Sequence, residues 1–383
     1  MTEFESAVVF GKFWPLHVGH LQLISETLSR ADRVLVVVND GSEDVPTQVR
    51  MGWVAEEFPP ARVVSAPDLC GHDTNECTPS CSERYASWLT ATHGPVRAVF
   101  SGESYGALLA KCIGATSVRL DRVNPQSAGR QIRRDIPGHW NLLSPSARAW
   151  YCRRVVIVGA ESTGTTTLAA DLAERLGTVW VPEFGRQFTE EHGIEHNWIS
   201  SDFEAIARRQ AAGEDRAARR CNRVLVCDTD VLATAVWHER YVGTRSDVVE
   251  ELAAERRPQF YVLTADDIPF VQDGLRDGEG IRRWMTQRFR EVLDGAPVPW
   301  FEVRGDRKER TDRVVRVLAH ELGEGWITAG RPAGVMGQRI VGVRDGQGLR
   351  VVHHRRPQAR APGGAGLAAA GAASGHRQLS TRQ

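Results

Sequence analysis

Two kinds of segment alternate along this chain: short continuous apolar runs, and stretches in which apolar residues recur every three or four positions. The runs Ala7–Phe10, Arg33–Val38, Arg62–Ser65, Val96–Phe100 and Ser117–Leu120 predict strands. The periodic stretches His20–Ala31, Thr47–Phe58, Glu83–Thr92 and Tyr105–Ile113 predict the helices between them. Strands that are apolar throughout are covered on both faces, and strand–helix alternation joins them in parallel. The pattern restarts at Arg154. Strands are predicted at Val155–Val158, Val179–Val181, Arg223–Cys227, Tyr261–Thr264 and Trp300–Val303, with helices at Thr166–Leu176, Asp202–Arg220 and Thr311–Leu322. The fold class is therefore α/β, with two doubly wound parallel-sheet domains over residues 1–150 and 151–327. From 328 to 383 the periodicity gives way to Gly-, Ala- and Arg-rich low-complexity sequence, which predicts a disordered tail.

Composition narrows the function classes. The formal net charge is zero, so nothing global favours nucleic acid or an anionic membrane as a partner. No apolar run approaches the roughly 20 residues of a membrane-spanning helix. The start, Met1–Phe10, has early acidic residues and no basic stretch ahead of an apolar one, so no secretory signal is expected. Seven cysteines, an odd number spread over a long chain, fit the reduced thiols of a cytoplasmic protein. Cys70, His72, Cys77 and Cys81 could hold structural zinc, but their spacing matches no common zinc pattern, and a loop of reduced thiols is expected. Lysine occurs only at 12, 111 and 308, so arginine carries nearly all the positive charge.

Ligands of doubly wound sheets bind beyond the carboxyl ends of the strands, so the loop after each opening strand holds the candidate chemistry. After the first strand comes GKFWPLHVGH, residues 11–20. Gly11 allows a sharp exit, Gly19 removes a side chain where a ligand would approach, and His17 and His20 flank it at a helix start. Histidine donors beside a helix N-terminus suit phosphate oxygens that gain charge in a transition state. After the second opening strand comes VGAESTGTTT, residues 158–167. Gly159, Gly164 and Thr166 occupy the positions of a phosphate-binding P-loop, with the Thr166 hydroxyl placed for Mg²⁺. Position 165 holds threonine where that loop has lysine. Losing such a charge-assisted contact costs about 2–4 kcal/mol, roughly 30- to 1000-fold in rate. The apolar strand Val224–Asp228 ends in a carboxylate, the arrangement that supports a nucleotide-bound Mg²⁺.

These motifs resemble the HxGH nucleotidyltransferase superfamily. More closely, the chain resembles the NadR-type bifunctional proteins, in which nicotinamide mononucleotide (NMN) adenylyltransferase is fused to ribosylnicotinamide kinase. The likeness continues in Ser101–Gly106 (SGESYG), similar to that family's S-S-E-x-Y-G, and in Arg133, which ends a segment where Ala128 and Arg130 replace the usual serine and threonine. In the second half, Gly159, Glu161, Ser162, Gly164 and Thr166 match G-x-E-S-x-G-K-S/T. Glu183, Gly185 and Arg186 match E-x-G-R-x-F, Asp228–Asp230 matches D-T-D, and Val271–Arg276 matches V-x-D-G-L-R, with Arg282 and Arg283 just beyond.

The resemblance implies a Rossmann-like nucleotidyltransferase domain followed by a P-loop kinase-like domain, and a role in NAD biosynthesis. His17, His20, Arg133, Glu183 and Asp228 would be catalytic. Gly11, Lys12, Phe13, Gly19, Ser101, Glu103, Arg130, Gly159, Glu161, Ser162, Gly164, Thr165, Thr166, Arg186, Asp230 and Arg276 would bind nucleotide. Thr166 and Asp228 would hold Mg²⁺. The implied small-molecule partners are ATP, NMN and nicotinamide riboside, and a homo-oligomer is compatible with the sequence. Trp53, Tyr85 and Trp88 are candidates to stack on the nicotinamide ring, though core packing explains each of them. The first strand starts too early for an N-terminal DNA-binding helix-turn-helix, so a repressor role is not expected. Two rival readings stay open: an HxGH nucleotidyltransferase with another acceptor, and a nucleotide-sensing regulatory protein whose lysine-free loop binds without turnover.

Overall fold

The computed structural model describes residues 2–327 except 42, 71–77, 122–128, 194, 257 and 273–277. The tail expected at 328–383 lies outside the described residues. The chain divides into two units, the first running to Ala147 and the second starting at Arg148.

The first unit runs β1 (Phe4–Gly11), α1 (Val18–Arg30), β2 (Ala31–Asn39), α2 (Thr47–Glu57), β3 (Arg62–Ala66), α3 (Pro79–His93), β4 (Ala98–Ser101), α4 (Tyr105–Ile113), β5 (Thr116–Arg119) and α5 (Gly129–Arg134). Helix α6 (Pro145–Tyr151) carries the boundary between the units. The sheet order is β3-β2-β1-β4-β5, every pairing parallel, with Val9 opposite both Val36 and Phe100. One face buries Val8, Phe10, Leu35 and Val37 against Tyr85 and Leu89 of α3 and Leu109 of α4. Because β1 lies between β2 and β4, the connections diverge at its carboxyl end and leave a crevice there.

The second unit runs β6 (Arg153–Val158), α7 (Thr165–Leu176), β7 (Trp180–Val181), α8 (Phe184–His192), α9 (Ser200–Ala218), β8 (Val224–Asp228), α10 (Val231–Val242), α11 (Asp247–Glu255), β9 (Phe260–Thr264), α12 (Arg282–Gly295), β10 (Trp300–Val303), α13 (Arg307–Leu322) and α14 (Glu324–Ile327). Its parallel sheet has the order β10-β9-β6-β8-β7, again with the opening strand at the centre. Val155, Ile157, Val226 and Val262 pack on Leu168 and Leu172 of α7 and Val314 and Leu318 of α13. No helix among the described residues is long and apolar enough to cross a membrane.

Several helices begin earlier than their periodicity predicts, and caps explain two of them, α1 and α13. The His17 side chain accepts the Gly19 N–H, so α1 starts at Val18. Asp306 accepts the Glu309 N–H at 2.8 Å while the Glu309 carboxylate accepts the Asp306 N–H at 2.9 Å. This reciprocal pair starts α13 at Arg307, ahead of its apolar stripe.

Candidate active sites

The first site sits at the end of β1, around a cleft of about 470 Å³. The chain leaves β1 at Gly11, where a Cβ would stand 3.0 Å from the Phe13 ring, so glycine lets Phe13 fold back under the loop. Phe13 is buried and sits in the left-handed region at φ 48°. His17 and His20 then stack face to face, their ring centroids 3.8 Å apart, and Phe13 packs edge-on to His20 at 4.9 Å. The buried His17 ring accepts the Gly19 N–H through Nδ1 at 3.2 Å. That leaves Nε2 as the donor, and Nε2 lies 3.7 Å from where a Cβ on Gly129, the first residue of α5, would be. Arg133, one turn along α5, donates to the Trp14 carbonyl at 2.6 Å and lies over the Trp14 ring at 4.1 Å. The two histidines and Arg133 thus face one cleft, which Gly11, Lys12, Phe13, Gly19, Glu103 and Arg130 also line.

Ser101 departs from its expected nucleotide contact. It is buried, and its hydroxyl accepts the Glu103 N–H at 2.9 Å and donates to the Glu103 carbonyl at 3.1 Å. It shapes the turn that presents Glu103. A Cβ on Gly106 would fall 2.3 Å from the Ser101 Cβ, so the last glycine of SGESYG is a packing requirement. Arg50 escaped the sequence reading altogether. Fully buried on α2, it donates to the carbonyls of Lys12, Asn39 and Val45 and to the carboxylate of Glu43. Glu43 in turn pairs with Lys12 at 3.0 Å. A buried arginine more than thirty residues away therefore fixes the Lys12 loop.

The second site is the loop between β6 and α7. A Cβ on Gly159 would stand 2.2 Å from the Thr264 Oγ1 and 2.5 Å from the Thr163 Oγ1, so only glycine fits. Gly164 has φ +85° and Ser162 φ 60°, left-handed positions that bend the loop tightly, and the Thr163 N–H between them closes on the Ala160 carbonyl at 3.3 Å. The Thr166 hydroxyl donates to Asp228 Oδ2 at 2.6 Å. Thr165 stands where the lysine of such a loop would be. Its methyl lies 3.2 Å from the Cβ position of Gly159.

Asp228 fits a metal-supporting role. It is 1% exposed, and its Oδ1 has no hydrogen-bond partner among the described residues. Such an orphaned carboxylate oxygen beside a threonine hydroxyl suits a hard cation, and Mg²⁺ takes its remaining ligands from water and phosphate. Among the described residues no group of three or more His, Cys, Asp or Glu forms a cage for another kind of metal. Burial pushes the Asp228 carboxyl up to about 6 against the two threonine hydroxyls and Arg186. Glu183, the N-cap residue of α8, is pushed up to about 8 by desolvation and by Asp228, with Arg186 opposing and Glu161 adding to the rise. Two neighbouring carboxyls share their protons near neutrality, with Arg186 close to both.

Glu161 pairs with Arg240 of α10 at 2.8 Å and accepts the Gly278 N–H at 2.7 Å. Ser162 accepts the Val271 N–H at 2.7 Å. Both carboxylate oxygens of Asp230 are engaged within the protein. Its Oδ1 caps α10 through the Ala233 N–H and its Oδ2 accepts the Tyr261 hydroxyl at 2.6 Å, so a buried residue of the D-T-D segment belongs to the scaffold. Arg276 lies outside the described residues, as do His72 and Cys77 of the cysteine loop. Trp53 and Tyr85 are buried, and Trp88 packs on Phe10. The second unit instead gathers Phe188, His196, Trp198 and Tyr241, with Arg240 over the Tyr241 ring at 4.5 Å. No motif marks that cluster, because its members come from two helices and a loop.

Comparison with known proteins agrees with this geometry. A family profile described as an AAA domain matches residues 154–310, from β6 past the P-loop and Asp228. The "Trifunctional NAD biosynthesis/regulator protein NadR" of Escherichia coli K12 is 28% identical over 351 residues, covering 83% of each chain. The protein of the same name from Salmonella typhimurium is 27% identical over 342 residues, with the same coverage. Among solved structures, a NadR protein in complex with NR superposes with a TM-score of 0.63 at 20% identity, over 86% of this chain and 98% of that one. A NadR protein in complex with NAD and AMP-PNP gives 0.61 at 21%, over 87% and 99%. The two-unit fold is the one found in those structures, and this chain is homologous to the NadR proteins along both of its units.

Proposed function

We propose that this chain makes NAD in two steps, nicotinamide riboside phosphorylation in the second unit and adenylyl transfer to NMN in the first. The reading rests on homology to proteins named for NAD biosynthesis and on the ligands named for the solved relatives, NR and NAD with AMP-PNP. The observation that carries it is the convergence of His17, His20 and Arg133 on one cleft at the end of the central strand.

In the first unit, a phosphate oxygen of NMN attacks the α-phosphorus of ATP. The bond to the bridging oxygen breaks and pyrophosphate leaves. His17 donates through Nε2, and His20 and Arg133 add donors where charge builds on the transferring and leaving phosphates. Lys12 and Arg130 line the same cleft, where their charge would meet the triphosphate. In the second unit, the 5′-hydroxyl of the riboside attacks the γ-phosphorus of ATP and ADP leaves. Glu183, held near working pH, takes the hydroxyl proton, while Asp228 stays engaged with Thr166. Mg²⁺ held through Thr166 and Asp228 would neutralise β- and γ-phosphate charge. The aromatic faces of Trp198 and Tyr241 offer a stacking surface for a pyridinium ring. Free cysteines among the described residues and ATP-dependent chemistry support a cytoplasmic setting for this work.

Purified protein with NMN, ATP and Mg²⁺ should release NAD and pyrophosphate in equal amounts, followed by chromatography. Nucleotide binding without product would favour the sensor reading, and product with a different acceptor only would favour the other nucleotidyltransferase reading.

A further inference from the structure

Strands β7 and β8 pair in parallel only as far as Val181 and Cys227. Beyond that pair one chain turns into α8 and the other into α10, and each carries a candidate catalytic carboxyl there, Glu183 and Asp228. Gln210 of α9 reaches between the two chains. It is buried, its Oε1 accepts the Phe184 N–H at 2.9 Å, and its Nε2 donates to the Thr229 carbonyl at 3.3 Å. A primary amide offers both a donor and an acceptor, as a peptide group does. Gln210 thus bridges the chains where their own ladder has ended, and the residues it grips directly follow Glu183 and Asp228.

Both grips bear on a carboxyl. Glu183 is the N-cap residue of α8, yet its side chain makes no capping bond. Gln210 takes the Phe184 N–H, one of the amides that a helix start leaves open, so less draws the Glu183 carboxyl onto its own helix. Thr229 has φ 66°, a left-handed conformation that is rare for a β-branched residue. It is held from both sides, its N–H by the Ile157 carbonyl at 2.8 Å and its carbonyl by Gln210. Backbone strain of this kind persists only where the surroundings fix it, and it gathers at sites that need a set geometry.

We propose that Gln210 is a positioning residue for phosphoryl transfer, its amide setting the spacing between the Glu183 and Asp228 carboxyls. The proposal rests on the kinase reading of the second unit.

Gln210→Met keeps the length of the side chain and removes both bonds. With riboside and ATP as substrates, kcat should fall about 30- to 100-fold, the loss expected when a reacting group is misplaced by about 1 Å. The KM for ATP should move less than about threefold, because the phosphate loop is untouched. Riboside binding, measured by calorimetry without ATP, should also stay within about threefold; a merely loosened pocket would weaken it. In a Glu183→Gln background the same change should cost less than about threefold of the residual rate, since the carboxyl it positions is gone. Gln210→Asn keeps the amide but draws it back by one methylene, so it should repeat the pattern and serves where the methionine variant does not fold. Equal losses in both backgrounds, a loss confined to KM or to riboside binding, or a kcat within about threefold of the unaltered chain would overturn the proposal and leave the kinase reading in place. No riboside phosphorylation by the unaltered chain, with NAD still formed from NMN, would remove the kinase reading and the proposal with it.

Discussion

Replacing His20 with alanine is expected to lower NAD formation from NMN and ATP by about 10²–10³-fold, while phosphorylation of nicotinamide riboside stays within about twofold. His20 stacks on His17 at 3.8 Å and against Phe13 at 4.9 Å, so the substitution removes one donor and the wall that orients another. Electrostatic stabilisation of a pentavalent phosphorus is typically the largest single contribution in a reaction that needs no nucleophile from the protein. The loss should therefore appear in kcat more than in the KM for ATP, because the donors matter most when charge develops. The P-loop, Asp228 and Glu183 all lie in the other unit, which is why the kinase rate serves as the control. Loss of both activities at unchanged thermal stability would contradict two separate sites.

Asp228→Asn should have the opposite signature. The substitution keeps the shape of the side chain but removes the carboxylate that accepts from Thr166 and carries the orphaned Oδ1. Riboside phosphorylation should fall about 10³-fold and adenylyl transfer should be unaffected. The pH profile adds a second readout. Both carboxyls have folded values raised above the ordinary range, Asp228 to about 6 and Glu183 to about 8. Their protonated forms are thus favoured at acid pH, and the ionised forms that bind metal and accept the hydroxyl proton appear as pH rises. Kinase kcat/KM should climb between about pH 6 and 8 and then level off. The sign for stability is reversed: the contribution of these groups is fully present below the ordinary carboxylate range and is lost as pH rises through 6 and then 8. In Asp228→Asn, Glu183 loses a negative neighbour, so the residual profile should move toward acid pH. A residual profile that keeps the unaltered chain's shape would show that the two carboxyls do not titrate together.

Much of this was readable in the chain because it is local. Continuous apolar runs mark the strands of both sheets, and a glycine-bearing loop after each opening strand marks the crevice where the connections diverge. His17 and His20, three residues apart, meet because a helix start brings them together. What remained hidden depends on packing between distant segments. Arg310 bonds a loop carbonyl 147 positions away, and Arg50 holds the Lys12 loop from 38 positions away, and neither belongs to a motif. Ser101 and Asp230 sit inside family signatures, yet their side chains are consumed by a turn and a helix cap. A motif records that a position is constrained, without saying whether ligand or scaffold imposes the constraint. The replacement of lysine by Thr165 read as a loss of charge that nearby arginine could offset in part, and two buried guanidiniums, those of Arg282 and Arg310, do sit on carbonyls of that loop.

The central claim, that both sites of one chain work in sequence, is tested most directly by supplying nicotinamide riboside and ATP with Mg²⁺ as the only substrates and following all products by chromatography. The account predicts NAD, with ADP and pyrophosphate formed in equal amounts and NMN passing through as an intermediate. Accumulation of NMN without NAD, or no consumption of the riboside, would contradict it.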